Sequence, residues 1–248
     1  MKTSSRRARR EIEHGQRLSA AGAERVWNWG TPAGRLRARR RAEIIAGGAD
    51  LKPGMRILEI GCGTGNFTER FAVFGAKIIA VDISEDLLAE ARGRNLPNVT
   101  FVCKPFEEFG ADGPFDAIIG SSILHHLEIK PALEEIFRLL KPGGVMSFAE
   151  PNMLNPQIII QKNIRWIKER LGDSPDETAF FRGPLAKLIR RAGFVDIRIA
   201  ARDWLHPSIP EGMIPFVQKV GNFLEKMPLV KEMAGSLYIR ARRPANKE

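Results

Sequence analysis

Residues 56–67 read Arg56-Ile57-Leu58-Glu59-Ile60-Gly61-Cys62-Gly63-Thr64-Gly65-Asn66-Phe67. Ile57, Leu58 and Ile60 form a short apolar run broken only by Glu59, the pattern of a strand. Glycines follow at alternate positions, and Phe67-Thr68-Glu69-Arg70-Phe71 begins a helical pattern. The stretch therefore reads strand, tight turn, helix N-terminus. Without Cβ atoms, such a turn lets a ligand lie against the backbone. The unpaired N–H groups of the first helical turn favour polar or anionic parts of that ligand.

A similar turn opens dinucleotide-binding folds, but the third glycine of G-x-G-x-x-G would fall at position 66, which is Asn66. Further on stands Leu140-Lys141-Pro142-Gly143-Gly144. Together, E-I-G-C-G-T-G followed by L-K-P-G-G resembles the class I S-adenosyl-L-methionine (SAM) dependent methyltransferases, in particular the small-molecule enzymes of ubiquinone and menaquinone biosynthesis. The resemblance covers roughly residues 50 to 152. It implies an α/β fold, a Rossmann-like doubly wound sheet of seven strands with strand seven antiparallel between five and six. It also implies SAM as cofactor and methyl transfer to a small, apolar or amphiphilic acceptor, with an oxygen favoured as the atom methylated.

Several site residues follow from that resemblance. Gly61, Cys62, Gly63 and Gly65 form the turn, and Glu59 orders it or a water near the SAM amine. Lys77-Ile78-Ile79-Ala80-Val81-Asp82 is a second buried strand ending in an acid. Asp82 can accept hydrogen bonds from both ribose hydroxyls; it can equally cap the next helix, given Ser84 and Glu85 beside it. Ile83 packs on the adenine. Lys104 stands where the family commonly has an acid after the third strand, so Phe106 or backbone contacts must hold the adenine. After the fourth strand, 115–121, the backbone of Ser121 faces the methionine part. The arm pattern W-x-W…G-R-L brings Trp29 over the site and Arg35 to the SAM carboxylate; solvated helix charge is the competing reading for Arg35, among five arginines between 35 and 41.

Methyl transfer to oxygen needs alignment, and a hydroxyl also gains from a base. Of four histidines, His125 and His126 stand together after the fourth strand and are the first candidates; a structural contact under the next helix is the alternative. Glu150 and His206 rank below them, Glu150 as a supporting residue. Histidine and cysteine spacings match no metal site.

Composition narrows the class. With 248 residues and 44% hydrophobic content, the chain can bury a sizeable core. Two cysteines fit a reducing cytoplasm, and no apolar run reaches spanning length. The net charge of +10 is uneven: Lys/Arg number 12 against 5 Asp/Glu in residues 1–50, 10 against 14 in 51–152, and 17 against 10 in 153–248. The basic flanks admit an anionic substrate, a membrane surface or nucleic acid, or simply a solvated surface. An RNA or protein methyltransferase is the rival they raise, and a SAM-binding protein without turnover is another. A nucleic-acid partner is not favoured; no N/D-P-P-Y/F tetrad occurs. The oligomeric state is left open.

Along the chain, residues 1–48 read as a basic helical arm, with a frayed or helical start and a helix from Arg35 to Ala46 stopped by Gly47-Gly48. Residues 49–248 read as the methyltransferase domain, with a helix at 131–140, a fifth strand at 145–149, and later strands at 194–200 and 236–242. Segments 152–183 and 203–235 follow carboxyl ends of strands and are placed to roof the site. Both mix apolar residues at helical spacing with lysine and arginine. They read either as lids folded inward, burying Ile160, Trp166, Phe216 and Phe223, or as basic amphipathic helices on an anionic membrane. The inward reading is preferred, because it needs no partner.

Overall fold

In the computed structural model the described residues are 6–110, 113–164, 166–167 and 178–246. Strand β1 (Arg56–Ile60) opens the sheet. Its Ile57, Leu58 and Ile60 are fully buried, which is why the run carries almost no polar residue. Strands β2 (Lys77–Asp82), β3 (Val99–Cys103), β4 (Phe115–Ser121) and β5 (Leu140–Pro151) run parallel to it. Strand β6 (Val195–Arg202) and β7 (Ser236–Arg242) complete a seven-stranded sheet of order β3-β2-β1-β4-β5-β7-β6. Strand β7 is antiparallel to both β5 and β6, as the resemblance implied.

Helices cover both faces and divide the core in two. One cluster gathers Leu58, Ile60, Phe115, Ile118, Phe148 and Ile239 under α6 (Ile129–Leu139). The other gathers Ile57, Ile78, Ile119, Phe71 and Ile45 under α3 (Pro32–Ala49) and α4 (Asn66–Ala72). Strand order reverses between β1 and β4, and their carboxyl ends open a crevice, the usual ligand position in open α/β sheets.

Three expectations are corrected. Helix α3 begins at Pro32, capped by the Thr31 hydroxyl, and runs through Gly47-Gly48 to end at Asp50, whose φ is 52°. A Cβ on Gly48 would lie 2.5 Å from Ser147 Oγ, so this glycine serves close approach of helix to strand rather than a stop. Strand β5 starts five residues early, taking in Leu140-Lys141-Pro142-Gly143-Gly144, because Leu140 pairs with Phe115 across a bulge.

The third correction concerns the lids. Helix α7 (Pro156–Asn163) and a helix Ile214–Leu224 are present, but the four side chains expected to be buried inward are exposed. Ile160 is 50%, Trp166 64%, Phe216 65% and Phe223 63% exposed, against the inward burial expected. The inward face of Ile214–Leu224 is instead supplied by Ile214, half-buried Val217 and Gly221, where a Cβ would lie 2.9 Å from Trp204. Arg165 and residues 168–177 of the first lid lie outside the described residues. No described helix is long and apolar enough to cross a membrane. The arm's start forms helix α1 (Arg6–Ala21), packed against α5 (Glu85–Arg92).

Candidate active site

A cavity of about 870 Å³ opens at the carboxyl ends of β1, β2 and β4. Gly61 and Gly63 line it at φ 68° and 52°, a region that side-chain-bearing residues rarely adopt. A Cβ on Gly63 would meet only Trp27, at 3.6 Å, so its open side faces the cavity. Gly65 plays a different part. Its Cβ would press on Ala91 and Arg94 at 3.1 Å, and it does not line the cavity. Cys62 lines the cavity, and burial pushes its thiol well above the usual range.

Asp82 bonds the turn directly. Its Oδ2 accepts the Gly63 N–H at 2.7 Å and its Oδ1 the Ser84 N–H at 2.9 Å. Ser84, not Asp82, supplies the side-chain cap of α5 by accepting the Leu87 N–H. Its two oxygens offer about four lone-pair sites, so Asp82 keeps acceptor capacity for a further donor. Burial raises its carboxyl above the usual range, with the backbone donors opposing. Ile83, Phe106 and Ser121 line the same cavity. Glu59 does not. It is buried beneath the turn, and burial pushes its carboxyl up to about 8, with the Thr68 hydroxyl opposing.

Trp29 also lines the cavity, edge-on to Phe67 with ring centroids 5.3 Å apart. Arg35 does not reach it. Its side chain is exposed and donates to the Gly30 carbonyl. The α3 arginines that do reach it are Arg37 and Arg41, whose guanidinium carbons sit 5.7 and 5.6 Å from the Trp29 ring centroid. Helix α3 turns Gly34, Ala38, Arg41, Ala42 and Ile45 inward, a face that its burial selects and its charge pattern hides. Arg41 donates to Ser122 Oγ at 2.9 Å and Ser236 Oγ at 2.6 Å. Asp203 lies 3.7 Å from Arg37 and 3.6 Å from Arg41, and accepts the Tyr238 hydroxyl at 2.6 Å. Burial alone would raise the Asp203 carboxyl; the two arginines and Tyr238 outweigh it and hold it below the usual range. One carboxylate faces two guanidinium groups here, so the cluster keeps a positive excess beside the cavity.

His125 and His126 both line the cavity, with ring centroids 4.3 Å apart. His125 Nδ1 lies 2.6 Å from Glu150 Oε2. The other oxygen of Glu150 accepts the N–H groups of Ile123 and Leu124, which fixes the loop after β4. His126 Nδ1 lies 3.0 Å from Glu11 Oε2, and Arg7 donates to the His125 carbonyl at 3.1 Å. Helix α1 is thereby drawn over the cavity, a contact the sequence did not signal. His206 also lines the cavity, its Nε2 2.9 Å from Gln157 Nε2; burial, then Arg37, lower its pKa. Among the described residues no cluster could hold a metal ion.

Residues 57–144 match a family described as methyltransferase domain. That segment of the chain is a methyltransferase domain. Among relatives, the demethylmenaquinone methyltransferase of Corynebacterium efficiens is 36% identical over 132 residues, 52% of this chain and 50% of that protein. An S-adenosyl-L-methionine-dependent Diels-Alderase of Talaromyces variabilis is 32% identical over 203 residues, 73% of this chain and 64% of that one. A SAM-dependent methyltransferase from Thermotoga maritima shares the fold of the methyltransferase domain, with TM-score 0.65 at 21% identity over 93% of this chain and 99% of that one. The chain spans about half the length of the curated quinone-pathway relative it matches.

Proposed function

We propose that the protein binds SAM and transfers its methyl group to a small apolar or amphiphilic acceptor, at a hydroxyl oxygen. The observation that carries this reading is the meeting of the glycine turn, Asp82 and the His125–Glu150 pair in one cavity.

The residues present fit the cofactor. Gly63 leaves backbone open to it, and Asp82 has lone pairs for the ribose hydroxyls. Ile83 and Phe106 are suited to the adenine, and Trp29 to closing the site. Asp82 on β2 and Ser121 on β4 are separated by one strand, on the order of 10 Å, which suits ribose at one end and the amino-acid part at the other. Arg41, bonded at that β4 end, then takes the carboxylate role that Arg35 cannot reach. Bound SAM supplies an electrophilic methyl on a sulfonium leaving group.

The chain's own part is alignment and proton removal. Glu150 accepts a hydrogen bond from Nδ1–H of His125, which selects the tautomer with a basic Nε2. That nitrogen takes the proton of the acceptor hydroxyl. Helix α1, tied by Glu11 and Arg7, keeps bulk water from the cavity. The two free cysteines support a cytoplasmic setting.

The test joins calorimetry with SAM to methyl transfer onto a panel of phenols and hydroquinones of graded chain length. His125→Gln should slow transfer by about 10² or more with SAM affinity unchanged. Transfer undiminished by His125→Gln would remove the base. A second reading, in which SAM is bound and not consumed, is favoured by the long match to the Talaromyces variabilis relative. Tight SAM binding with no S-adenosylhomocysteine formed from any acceptor would select it.

A further inference from the structure

We infer that the outward face of helix Ile214–Leu224, with the exposed face of α7, docks on an anionic lipid bilayer and brings the α7 side of the cavity to it. Phe216, Val220 and Phe223 stand at i, i+4 and i+7, one stripe of the helix, and all are exposed. Met213 and Met227 extend the stripe, and Leu229 beyond it is 85% exposed. Folding leaves this stripe in water, while Ile214 and Gly221 already satisfy the inner face.

The second stripe is built alike. Ile158 of α7 lines the cavity, whereas Ile159, Ile160, Ile164 and Trp166 are exposed. The two segments are tied across the rim: Gln157 meets His206, and Asn155 Nδ2 donates to the Met233 carbonyl at 2.9 Å. Helix α7 reaches the opening at Ile158, and the segment that carries helix Ile214–Leu224 reaches it at His206 and Gly235.

Charge chooses the occupant. Residues 213–231 carry Lys219, Lys226 and Lys231 against one acid, Glu225. Glu225 is engaged by Arg40 at 2.7 Å, so it does not neutralise those lysines. Lys219 and Lys226 are exposed beside the apolar stripe, where their stems can lie on the lipid and their ammonium groups reach headgroups. Apolar side chains flanked by lysine match a bilayer bearing phosphate groups. Docking does not depend on the transfer chemistry. The consequence that an amphiphilic acceptor enters from the bilayer rests on the acceptor reading above.

Co-sedimentation with vesicles, in the absence of SAM and acceptor, tests it. The full chain should pellet with phosphatidylcholine–phosphatidylglycerol vesicles, far less with phosphatidylcholine alone, and raised salt should release it. Phe216→Ser with Phe223→Ser should weaken binding about tenfold or more, since both rings would leave the apolar layer. Lys219→Glu with Lys226→Glu should weaken it at least about tenfold on the anionic vesicles alone. These side chains are exposed, so circular dichroism should stay that of the parent. A parent that stays in the supernatant with anionic vesicles at low salt overturns the inference, as does a folded Phe216→Ser/Phe223→Ser variant that pellets like the parent. A parent dimer that those two substitutions convert to monomer would assign the face to a second copy instead, and overturns it too.

Discussion

Residues 51–152 and residues 153–235 meet at one cavity but treat apolar side chains differently. Among the described residues, Val73 is the single exposed large apolar side chain of the first region, and the second region has fourteen. The first region also carries the acidic balance, the second a basic one. The contrast separates what the fold must bury to exist from what it can leave for a partner. The strands of the first region pack between two helical layers, and any apolar residue there finds a neighbour. Helix Ile214–Leu224 of the second region packs on Ala33 and Leu205 by one narrow stripe, and its outer face is exposed among the described residues.

The strictness of burial in the first region can be broken at Glu59. Its folded pKa of about 8 lies above the ordinary value of 4.5. The folded state therefore binds this proton more tightly than the unfolded one, and stability falls as pH rises from about 4.5 to about 8. Glu59→Gln should flatten that slope and add a few kcal/mol above pH 8, since each pKa unit is about 1.4 kcal/mol. Melting temperatures across that range that track the parent would mean Glu59 is solvated after all.

The cofactor assignment breaks next. Gly63→Val places a β-branched side chain at φ 52° on the cavity wall. SAM affinity should fall about a hundredfold or more, on the order of 3 kcal/mol, with the far-ultraviolet spectrum retained. Calorimetry giving parental affinity would dissociate the turn from the ligand. Asp82→Ala should cost about 1.5–3 kcal/mol of SAM binding. Asp82→Asn, which keeps an acceptor for the Gly63 N–H, should recover part of the loss; identical losses would deny that contact a share.

The arm sharpens the comparison with a smaller effect. Arg41→Met should weaken SAM about tenfold and leave 5′-methylthioadenosine, which lacks the carboxylate, unaffected. Arg35→Met should change neither. Equal losses for both ligands in Arg41→Met would make Arg41 a support for Ser121 and Ser122 rather than a ligand contact.

Much of the sheet was legible. An apolar run, alternate glycines and a terminal acid are local patterns, and turn chemistry does not depend on distant partners. The place of β7, antiparallel between β5 and β6, came with the resemblance that those motifs carried. Of the proposed cofactor residues, Trp29, Gly61, Cys62, Gly63, Asp82, Ile83, Phe106 and Ser121 face the cavity, as do His125 and His126. Arg35, Glu59 and Gly65 do not. Gly47-Gly48 misled because a glycine pair that ends a helix and one that admits a strand have the same letters.

By sequence alone, then, the chain determined that strands and a left-handed glycine turn lie where they do to within a few residues, and which short segments carry polar chemistry, because those depend on near neighbours. Only the tertiary structure decided which of five arginines on α3 turns toward the sheet, that Glu11 reaches His126, that Asp203 lies between Arg37 and Arg41, and that Phe216 and Phe223 face water. Each of those depends on how a helix is rotated against a surface built from distant residues. An amphipathic helix specifies that it has an apolar face; whether that face is turned inward is set by the area the rest of the fold leaves for it.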